Sequence, residues 1–390
     1  MSPQPSILMA CIQPYWSCLQ LGSQHLARQF AANGYDVHYF SAPVTPLHLA
    51  KIKSAEVRKR YQNALHSPWT DPVTSIKSYI PFSLIAPDGL PVLKENAVTM
   101  NWQKTIIPGP VRYLKKHRLN KADILYIDNL SYHFLLDMVR YDKCVFRIMD
   151  RHDGFPGWRG KTKAMAKKIA ECADLTIYSA RGLKDYTESL TPGKFVFIPN
   201  GVDFELFQRK FHTKRHCRLE SIPDPIVIYT GSIDSRFNTE LVVRAARRLP
   251  AVSFVCIGPD SGSWVSSSHP PNIYLCGPLD HNEIPHIMSS ARAGIIPFNV
   301  AQDNDLISGI RPLKLLEYMA AGLPVICSRW AEVELMNSPA WLYDDEKEFI
   351  RLIQVATNSD HDPEVYVDFA RQNTWQISFT RLRKELKNLV

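Results

Sequence analysis

Short, β-rich apolar segments alternate with helix-forming segments along the entire chain, and this alternation constrains the fold more than any other feature of the sequence. The pattern is typical of βαβ units, in which a helix connects two parallel strands. Two successive α/β halves predict two doubly wound, Rossmann-like domains facing each other across a cleft, with ligands at the carboxyl ends of the strands. The segments with strand composition are Ile7–Ile12, Asp36–Phe40, Asp123–Ile127, Cys144–Met149, Asp174–Tyr178, Phe195–Ile198, Ile226–Thr230, Ser253–Ile257, Ile273–Leu275, Ala293–Ile296, Pro324–Cys327 and Ala340–Tyr343.

The length of 390 residues fits two domains of ordinary size. We predict an N-terminal domain over residues 1–205, a C-terminal domain over residues 206–375 and an amphipathic helix over residues 376–390. The polar segment Phe204–Asp224 has little periodicity and ends in Pro-Asp-Pro, which indicates a linker. The apolar residues of the last segment share one helical face, and we expect this helix to return to the N-terminal domain.

Composition and cysteine usage indicate an ordinary globular protein. Hydrophobic residues make up 45% of the chain and charged residues 22%, which argues against disorder. No apolar run approaches the roughly 18 residues of a membrane-spanning helix, and Met1–Pro5 lack the features of a signal peptide, so we expect a cytoplasmic protein. The eight cysteines include no Cys-x-x-Cys pair and are expected to be reduced core thiols.

Positive charge is concentrated in one segment rich in proline and aromatic residues, residues 51–121. It contains 13 Lys and Arg against four Asp and Glu, a net charge of +9 in a chain of net charge +8. We expect long irregular loops and short helices here. The charge fits a solvated face, an anionic membrane surface or nucleic acid, and Trp69, Phe82 and Trp102 interleave with it. Nucleic acid is disfavoured because no zinc finger, helix-turn-helix or RNP-like motif accompanies the charge.

The most informative segment is Ser308–Ile326, which predicts a short helix followed by a strand. Pro312 suits the first helical position, and Gly322 suits the turn after the helix. Lys314 and Glu317 are three residues apart and therefore lie on one face. A lysine in the first turn opposes the helix dipole, which is reasonable where an anion such as a diphosphate binds there, and Glu317 would then bind ribose hydroxyls. Alternatively, the two charges simply pair with each other.

Several predicted strands of the second half end in turn-forming residues. Because the carboxyl ends of parallel strands lie at one edge of a sheet, these turns predict a continuous rim. The turn that begins at Gly231 offers backbone amides and the guanidinium of Arg236 to a phosphate group. The turn residues are Gly231, Ser232 and Arg236 after one strand, and Gly258, Pro278-Leu279 and Pro297-Phe298 after the next three.

These residues resemble a known family. The glycine turn, Pro297-Phe298 and the block Pro312-Leu-Lys-Leu-Leu-Glu-Tyr-Met-Ala-Ala-Gly-Leu-Pro-Val325 look like the donor domain of nucleotide-sugar-dependent glycosyltransferases of the GT-B fold. Asn200-Gly-Val-Asp203 resembles their hinge motif, so the resemblance covers nearly the whole chain. It implies that Glu317 binds the ribose, Lys314 the diphosphate, and the backbone of Pro278-Leu279 the base. The further donor-binding residues are Gly231, Ser232, Arg236, Phe298 and Arg311.

The sequence departs from the pattern of retaining members of this family. Those have two glutamates separated by seven residues, whereas Gly309 stands eight residues before Glu317, which favours an inverting transfer with one general base. The segment after strand Cys144–Met149 is similar to xanthan-type glucuronosyltransferases of bacterial exopolysaccharide synthesis, in which an aspartate is the base. Position matching favours Asp150, and the following glycine favours Asp153; either aspartate could instead cap the next helix.

The loop that follows the first strand matches the family loop that faces the acceptor and the donor phosphates. Packing in the core and helix capping are the alternatives for its side chains. The acceptor-side residues that this match implies are Tyr15, Trp16, Gly22 and His25, with Trp158 as a further aromatic platform.

Asp303-Asn-Asp305 has the Asp-x-Asp form of a divalent-metal site. No further carboxylates or histidines stand at ligand spacing, so we interpret it as a solvated loop. We expect no metal and no other cofactor.

The resemblance implies an inverting, metal-independent glycosyltransferase of bacterial surface polysaccharide synthesis. It would move a sugar from a nucleoside diphosphate, with UDP favoured, to a lipid-linked glycan at the inner face of the cytoplasmic membrane. The alternatives are a nucleotide-sugar epimerase of the same fold and a non-enzymatic nucleotide- or membrane-binding protein. A nicotinamide oxidoreductase is disfavoured because no Gly-x-Gly-x-x-Gly motif occurs.

Overall fold

The computed structural model describes residues 4–87, 101–151, 161–191, 194–208, 215–262, 264, 269–301 and 304–389. The chain divides into two compact units, one formed by Met1–Ile198 with Phe379–Val390 and the other by Pro199–Ser378. Each unit has its own hydrophobic core around a predominantly parallel sheet. The predicted fold class, two Rossmann-like α/β units, is confirmed. All twelve predicted strands are present, with ends shifted by up to four residues.

The first unit contains a sheet with the strand order β10-β9-β8-β7-β1-β2-β4-β3, in which only β3 runs antiparallel to its neighbour. Strands β5 and β6 form a separate antiparallel pair. Strands β7 and β8 flank β1 on one side, which brings the ends of β1, β7 and β8 to one edge. The strands are β1 (Ser6–Ala10), β2 (Asp36–Phe40), β3 (Trp69–Thr70), β4 (Lys77–Tyr79), β5 (Phe82–Ser83), β6 (Ile106–Ile107), β7 (Lys121–Ile127), β8 (Arg140–Ile148), β9 (Leu175–Tyr178) and β10 (Phe195–Phe197).

Helices cover the faces of this sheet. The first helix begins where the Gln24 side chain accepts a hydrogen bond from the Leu21 amide at 2.8 Å, and it ends before Gly34, whose φ of +84° suits a glycine. The helices are α1 (Gly22–Ala32), α2 (Ala55–Leu65), α3 (Pro110–Lys116), α4 (Leu135–Met138), α5 (Lys161–Cys172) and α6 (Lys184–Leu190).

The basic segment at residues 51–121 contains the short helices that the sequence predicts. Over its described residues it contributes α2, α3 and four strands of two or three residues each. Tertiary packing orders these strands: Val57 and Tyr79 are buried, and β4 extends the main sheet by pairing with β2.

The second unit has a fully parallel sheet with the order β13-β12-β11-β14-β15-β16. Its strands are β11 (Ile226–Thr230), β12 (Ser253–Ile257), β13 (Ile273–Gly277), β14 (Ala293–Ile296), β15 (Val325–Ser328) and β16 (Trp341–Tyr343). The remaining helices are α7 (Phe204–Phe207), α8 (Thr239–Arg248), α9 (Ile284–Met288), α10 (Asn304–Ile307), α11 (Leu313–Ala320), α12 (Ala331–Leu335), α13 (Glu346–Asn358), α14 (Glu364–Arg371) and α15 (Trp375–Lys387). Short 3₁₀ helices span Pro46–Lys51, Trp102–Thr105, Leu130–Tyr132, Arg181–Leu183, Cys217–Leu219 and His281–Glu283.

The predicted linker at Phe204–Asp224 does not separate the two units. Phe207 and Leu219 belong to the core of the second unit, so the described part of this segment is packed rather than extended. The boundary falls after Ile198, and residues 199–205 lie in the second unit.

The chain passes between the two units twice, and the two connecting segments, around Val202 and around Thr374, are paired with each other just inside the second unit. The Val202 amide donates to the Asn373 carbonyl at 2.9 Å, and the Trp375 amide donates to the Val202 carbonyl at 3.2 Å. Gly201 permits this approach, because a Cβ there would lie 2.4 Å from the backbone of Thr374.

The C-terminal helix α15 begins in the second unit, and from Phe379 onward it belongs to the first. The Phe379 ring packs edge-on against Phe30, with ring centroids 4.9 Å apart. Lys143 donates to the Leu386 carbonyl at 3.1 Å. The expectation that this helix returns to the N-terminal unit is confirmed.

Candidate active site

Two glycine turns at the ends of β11 and β12 allow a close approach of the backbone and the side chain of Lys314. Gly231 and Gly258 have φ values of +136° and +143°, which side chains rarely tolerate. A Cβ on Gly258 would lie 2.0 Å from the Gly231 carbonyl oxygen, and a Cβ on Gly231 would lie 2.9 Å from the Lys314 ammonium. The strand ends and the side chain of Lys314 can therefore approach each other only because both positions are glycine.

Helix α11 brings the predicted lysine and glutamate to this rim. The helix starts at Leu313, so Pro312 is the residue before the helix rather than its first residue. Tyr318 fixes the helix beneath the sheet, since its hydroxyl accepts a hydrogen bond from the Thr230 amide at 2.8 Å. Gly294 leaves room for the ring, because a Cβ there would lie 2.3 Å from Tyr318. Tyr318 is not among the predicted site residues, because in the sequence it occupies an ordinary apolar helix position.

The Lys314 side chain lies between two aromatic rings. Its ammonium is 4.5 Å from the ring centroid of Tyr229 and 5.0 Å from that of Phe298, and it donates to the Tyr229 hydroxyl at 3.1 Å. The Tyr229 hydroxyl donates in turn to the Ser232 carbonyl at 2.7 Å. Burial lowers the pKa of Lys314 to about 8, with nearby Arg236 acting in the same direction. Lys314 bonds to Tyr229 rather than to Glu317, so the two charges on the helix do not simply neutralise each other.

Glu317 lies less than one turn further along α11 and is half-buried. Burial raises its pKa to about 7; Lys314 opposes this shift and Asp203 adds to it. A carboxylate in such surroundings accepts hydrogen bonds from neutral hydroxyls readily, because few water molecules compete.

Arg236 is held by its neighbour Asp234. Its Nε and Nη2 atoms lie 2.9 Å and 2.5 Å from the two carboxylate oxygens. Burial alone raises the pKa of Asp234, but the hydrogen bonds from Arg236 outweigh it and the pKa lies below its usual value. The guanidinium is therefore preorganised at the start of the segment that follows β11.

The remaining predicted donor residues occupy different surroundings. Phe298 stacks on Trp330 with a centroid distance of 5.7 Å, and Pro278 and Leu279 follow β13 at the edge of the sheet, exposed and half-buried respectively. Arg311 is directed into the interior, where it forms an ion pair with Glu332. Donor contacts of these four residues stay predictions, and the surroundings of Arg311 favour a different role for it, argued below.

In the first unit, Asp150 follows β8 and is half-buried. Its strand carries the buried Arg147, which donates to the Ser23 hydroxyl at 3.0 Å. A Cβ on Gly22 would lie 2.1 Å from this guanidinium, so any side chain at the start of α1 would displace Arg147. Arg147, which is not among the predicted site residues, thus ties β8 to the acceptor-side loop. Asp153 and Trp158 lie outside the described residues.

Ser23 also bonds to the buried carboxylate of Asp128. Burial raises the pKa of Asp128 to about 6, while the hydrogen bond from Ser23 and the charge of Arg147 oppose this shift. Ser23, Asp128 and Arg147 thus form a polar cluster that holds the N-terminal end of α1 in place.

The predicted acceptor-side residues divide into an inner and an outer set. Tyr15 and His25 are buried; the Tyr15 hydroxyl bonds to Thr74 at 3.2 Å, and His25 Nδ1 lies 2.8 Å from Arg28. Trp16 is half-buried, and the exposed Lys59 places its ammonium 4.6 Å from the centroid of the Trp16 ring.

Among the described residues, no three His, Cys, Asp or Glu side chains are grouped closely enough to share a metal ion. Asp303 lies outside the described residues, and so does the side chain of Asp305.

Comparison with known proteins finds similarity in the second unit. Residues 236–376 match the family model described as "Glycosyl transferase-like". The chain is also 27% identical over 237 residues to the "Putative teichuronic acid biosynthesis glycosyltransferase TuaH" of Bacillus subtilis (strain 168). That match covers 57% of this chain and 59% of the relative, so this chain spans less than two thirds of the length of the relative.

Solved structures of low sequence identity share the fold over nearly the entire chain. Sucrose-phosphate synthase from Thermosynechococcus elongatus has a TM-score of 0.70 at 15% identity and covers 99% of both chains. Anabaena Alr3699/HepE in complex with UDP has a TM-score of 0.60 at 9% identity, covering 98% of this chain and 100% of that one. WaaG, a glycosyltransferase involved in lipopolysaccharide biosynthesis, has a TM-score of 0.58 at 13% identity and covers 95% and 94%. The predicted resemblance to GT-B glycosyltransferases is confirmed.

Proposed function

We propose that this protein is a glycosyltransferase that moves a sugar from a nucleoside diphosphate to a glycan acceptor in bacterial surface polysaccharide synthesis. One observation carries the proposal: Lys314 and Glu317 are held apart on one face of α11, at the ends of the strands of a glycosyltransferase-like domain. This arrangement suits a diphosphate next to the ammonium and ribose hydroxyls next to the carboxylate.

The donor we favour is a UDP-sugar. Structures of Anabaena Alr3699/HepE contain UDP, UDP with glucose, and UDP-glucose, and that protein shares the fold of this chain. Lys314, Arg236 and the N-terminus of α11 supply positive charge to the diphosphate. The rim beyond β13, with Pro278 and Leu279, supplies backbone groups for the base.

We propose an inverting transfer with Asp150 as the general base. The carboxylate of Asp150 takes the proton of the acceptor hydroxyl while that oxygen bonds to the anomeric carbon. The bond between this carbon and the diphosphate oxygen breaks, and the departing diphosphate keeps the electron pair, stabilised by Lys314 and Arg236. The glycine at position 309, where retaining relatives have a glutamate, favours this stereochemistry.

The acceptor we propose is a lipid-linked glycan at the inner face of the cytoplasmic membrane. None of the helices in the described part of the chain has the length and apolar character needed to cross a bilayer. Helix α3 instead carries the half-exposed Val111 and the exposed cations Arg112, Lys115 and Lys116, and the half-exposed Ile107 lies on β6 just before it. Apolar tips surrounded by basic residues suit the interface of an anionic leaflet.

A donor panel tests the proposal. Nucleotide release is measured for each nucleoside-diphosphate sugar with and without a lipid-linked acceptor, and we expect acceptor-dependent release of UDP from one or a few donors. Release of UDP or an altered sugar without any acceptor would favour an epimerase. Absence of turnover with every donor, together with intact UDP binding, would favour a non-enzymatic binding protein.

A further inference from the structure

The surroundings of Arg311 suggest a role other than donor contact. Its side chain is 6% exposed, and its guanidinium lies 3.3 Å from the carboxylate of Glu332, whose side chain is fully buried. Glu332 stands in the first turn of α12, where the helix dipole favours a negative charge. A buried ion pair of this kind is retained only when both charges are satisfied, so the two residues form a single structural unit.

Arg311 also bonds to both chain connections between the two units. Its Nη2 atom donates to the Asn373 side chain at 3.1 Å and its Nε atom to the Asn200 carbonyl at 3.4 Å. The side-chain amide of Asn200 donates in return to the Arg311 carbonyl at 3.2 Å. The Asn373 carbonyl takes part in the backbone pairing of Val202 described above, and Asn200 lies two residues before Val202, so one guanidinium joins the two paired segments.

The backbone of Arg311 leads directly into helix α11. Pro312 follows it, and Lys314 stands in the first turn. The preceding residue is fixed as well, because the Trp330 indole donates to the Ile310 carbonyl at 3.0 Å. Trp330 stacks on Phe298, whose ring lies beside the Lys314 ammonium. The position of Lys314 therefore depends on the segment that enters α11.

We propose that Arg311 is a positioning residue for the donor: with Glu332 it fastens the start of α11 to the paired connections, and thereby fixes Lys314, without touching the diphosphate. This inference rests on the proposed donor site. It assigns Arg311 and Glu332 a role that the resemblance to the family does not imply for them.

The test compares UDP and uridine affinities in single and paired variants by calorimetry, well below the melting temperature of each. In Arg311→Met and Glu332→Gln we expect UDP affinity to fall about 10- to 100-fold, because displacement of a positioning group by about 1 Å can cost that much. Uridine affinity should fall less, since uridine lacks the phosphates that Lys314 binds. The double variant Arg311→Met/Glu332→Leu should recover part of the UDP affinity, because it removes the unpaired buried charge and fills the space, but it does not replace the bonds of Arg311 to Asn200 and Asn373.

Arg329→Met is the matched control, because Arg329 is a surface arginine of the same unit that pairs with Asp344 and Glu334. It should bind UDP like the wild type. Loss of affinity in Arg311→Met that Glu332→Gln does not share and the double variant does not restore would overturn the proposal in favour of direct diphosphate contact. Lowered melting temperatures with unchanged affinities would equally overturn it, leaving a purely structural pair. A wild-type protein that binds no UDP would instead refute the proposed donor.

Discussion

Lys314 and Glu317 both lie in surroundings that favour their neutral forms. Burial lowers the pKa of Lys314 to about 8 and raises that of Glu317 to about 7. In the proposed donor site, UDP binding would need the charged form of each. We therefore expect UDP affinity to rise as pH increases through about 7, where Glu317 ionises, and to fall above about 8, where Lys314 loses its proton. Calorimetric titrations at a series of pH values measure both limbs of this profile, the rise and the fall of UDP affinity. The affinity for uridine should show only the rise.

Variants separate the two limbs. Lys314→Ala should abolish the fall at high pH and Glu317→Ala the rise at neutral pH, and each should weaken UDP binding by about 1–3 kcal/mol for the charged hydrogen bonds left unmade. The exposed Lys347 on α13 provides a control whose replacement by alanine should change neither limb. Wild-type affinity in both site variants would remove the proposed donor site.

Asp150 is the residue on which the proposed chemistry depends. We expect Asp150→Asn to lower the transfer rate by about 10²- to 10⁴-fold, the usual cost of losing one acid or base group, with UDP affinity nearly unchanged because the base acts on the acceptor. Initial rates with a lipid-linked acceptor and calorimetry with UDP measure the two effects. Full turnover in this variant combined with loss in Asp153→Asn would move the role of the base to Asp153.

At the scale of single elements, the sequence predicts what local patterns determine. Twelve strands and helix α11 follow from apolar runs and turn residues, so their positions were predictable, whereas the short strands β3 and β4 at one edge of the first sheet were not predicted. Tyr229, Tyr318 and Arg147 were not, because each acquires its partner from a segment some 80 or more residues away: Lys314, Thr230 and Ser23. Periodicity carries no information on such pairings, which tertiary packing decides.

The turn after β12 gives a prediction at this scale. Gly258→Ala combines backbone strain with a Cβ 2.0 Å from the Gly231 carbonyl, whereas Gly262→Ala has a φ of +105° but no atom within 4 Å of its Cβ. We expect about 1–3 kcal/mol of backbone strain in both variants. Only Gly258→Ala should lose additional stability and weaken UDP binding, because its clash displaces Gly231 from Lys314. Denaturant unfolding and calorimetry compare the two; equal effects would show that the close approach of the strand ends is unimportant.

At the scale of the whole molecule, we expect transfer without a metal ion. In the proposed donor site, the N-terminus of α11 and the cations Lys314 and Arg236 would supply the counter-charge that a bound metal ion supplies in other transferases. Activity should therefore persist in EDTA. A complete loss that magnesium or manganese reverses would make Asp303 and Asp305 ligands and would contradict the proposed leaving-group stabilisation.

The last prediction concerns attachment to the membrane. Among the exposed cations of the basic segment we choose Arg112, Lys115 and Lys116 for the test, because the exposed Val111 lies on the same helix, α3, whereas Arg60 is largely buried beside Glu56 and Lys59 covers the ring of Trp16. A lipid-linked acceptor requires the enzyme to reach an anionic leaflet, where each basic residue contributes about 1 kcal/mol. We expect co-sedimentation with anionic vesicles that weakens as salt rises toward about 0.5 M, where the Debye length is roughly 4–5 Å.

Neutralising Arg112, Lys115 and Lys116 together with glutamine should release the protein from these vesicles and spare turnover on a short soluble acceptor. The same change at three exposed cations of the second unit, Arg247, Arg248 and Lys347, removes equal charge and should leave binding intact. This comparison separates a local docking surface from the effect of net charge. Equal binding to neutral and anionic vesicles, or binding to neither, would contradict the docking surface and point to an acceptor that diffuses freely in solution.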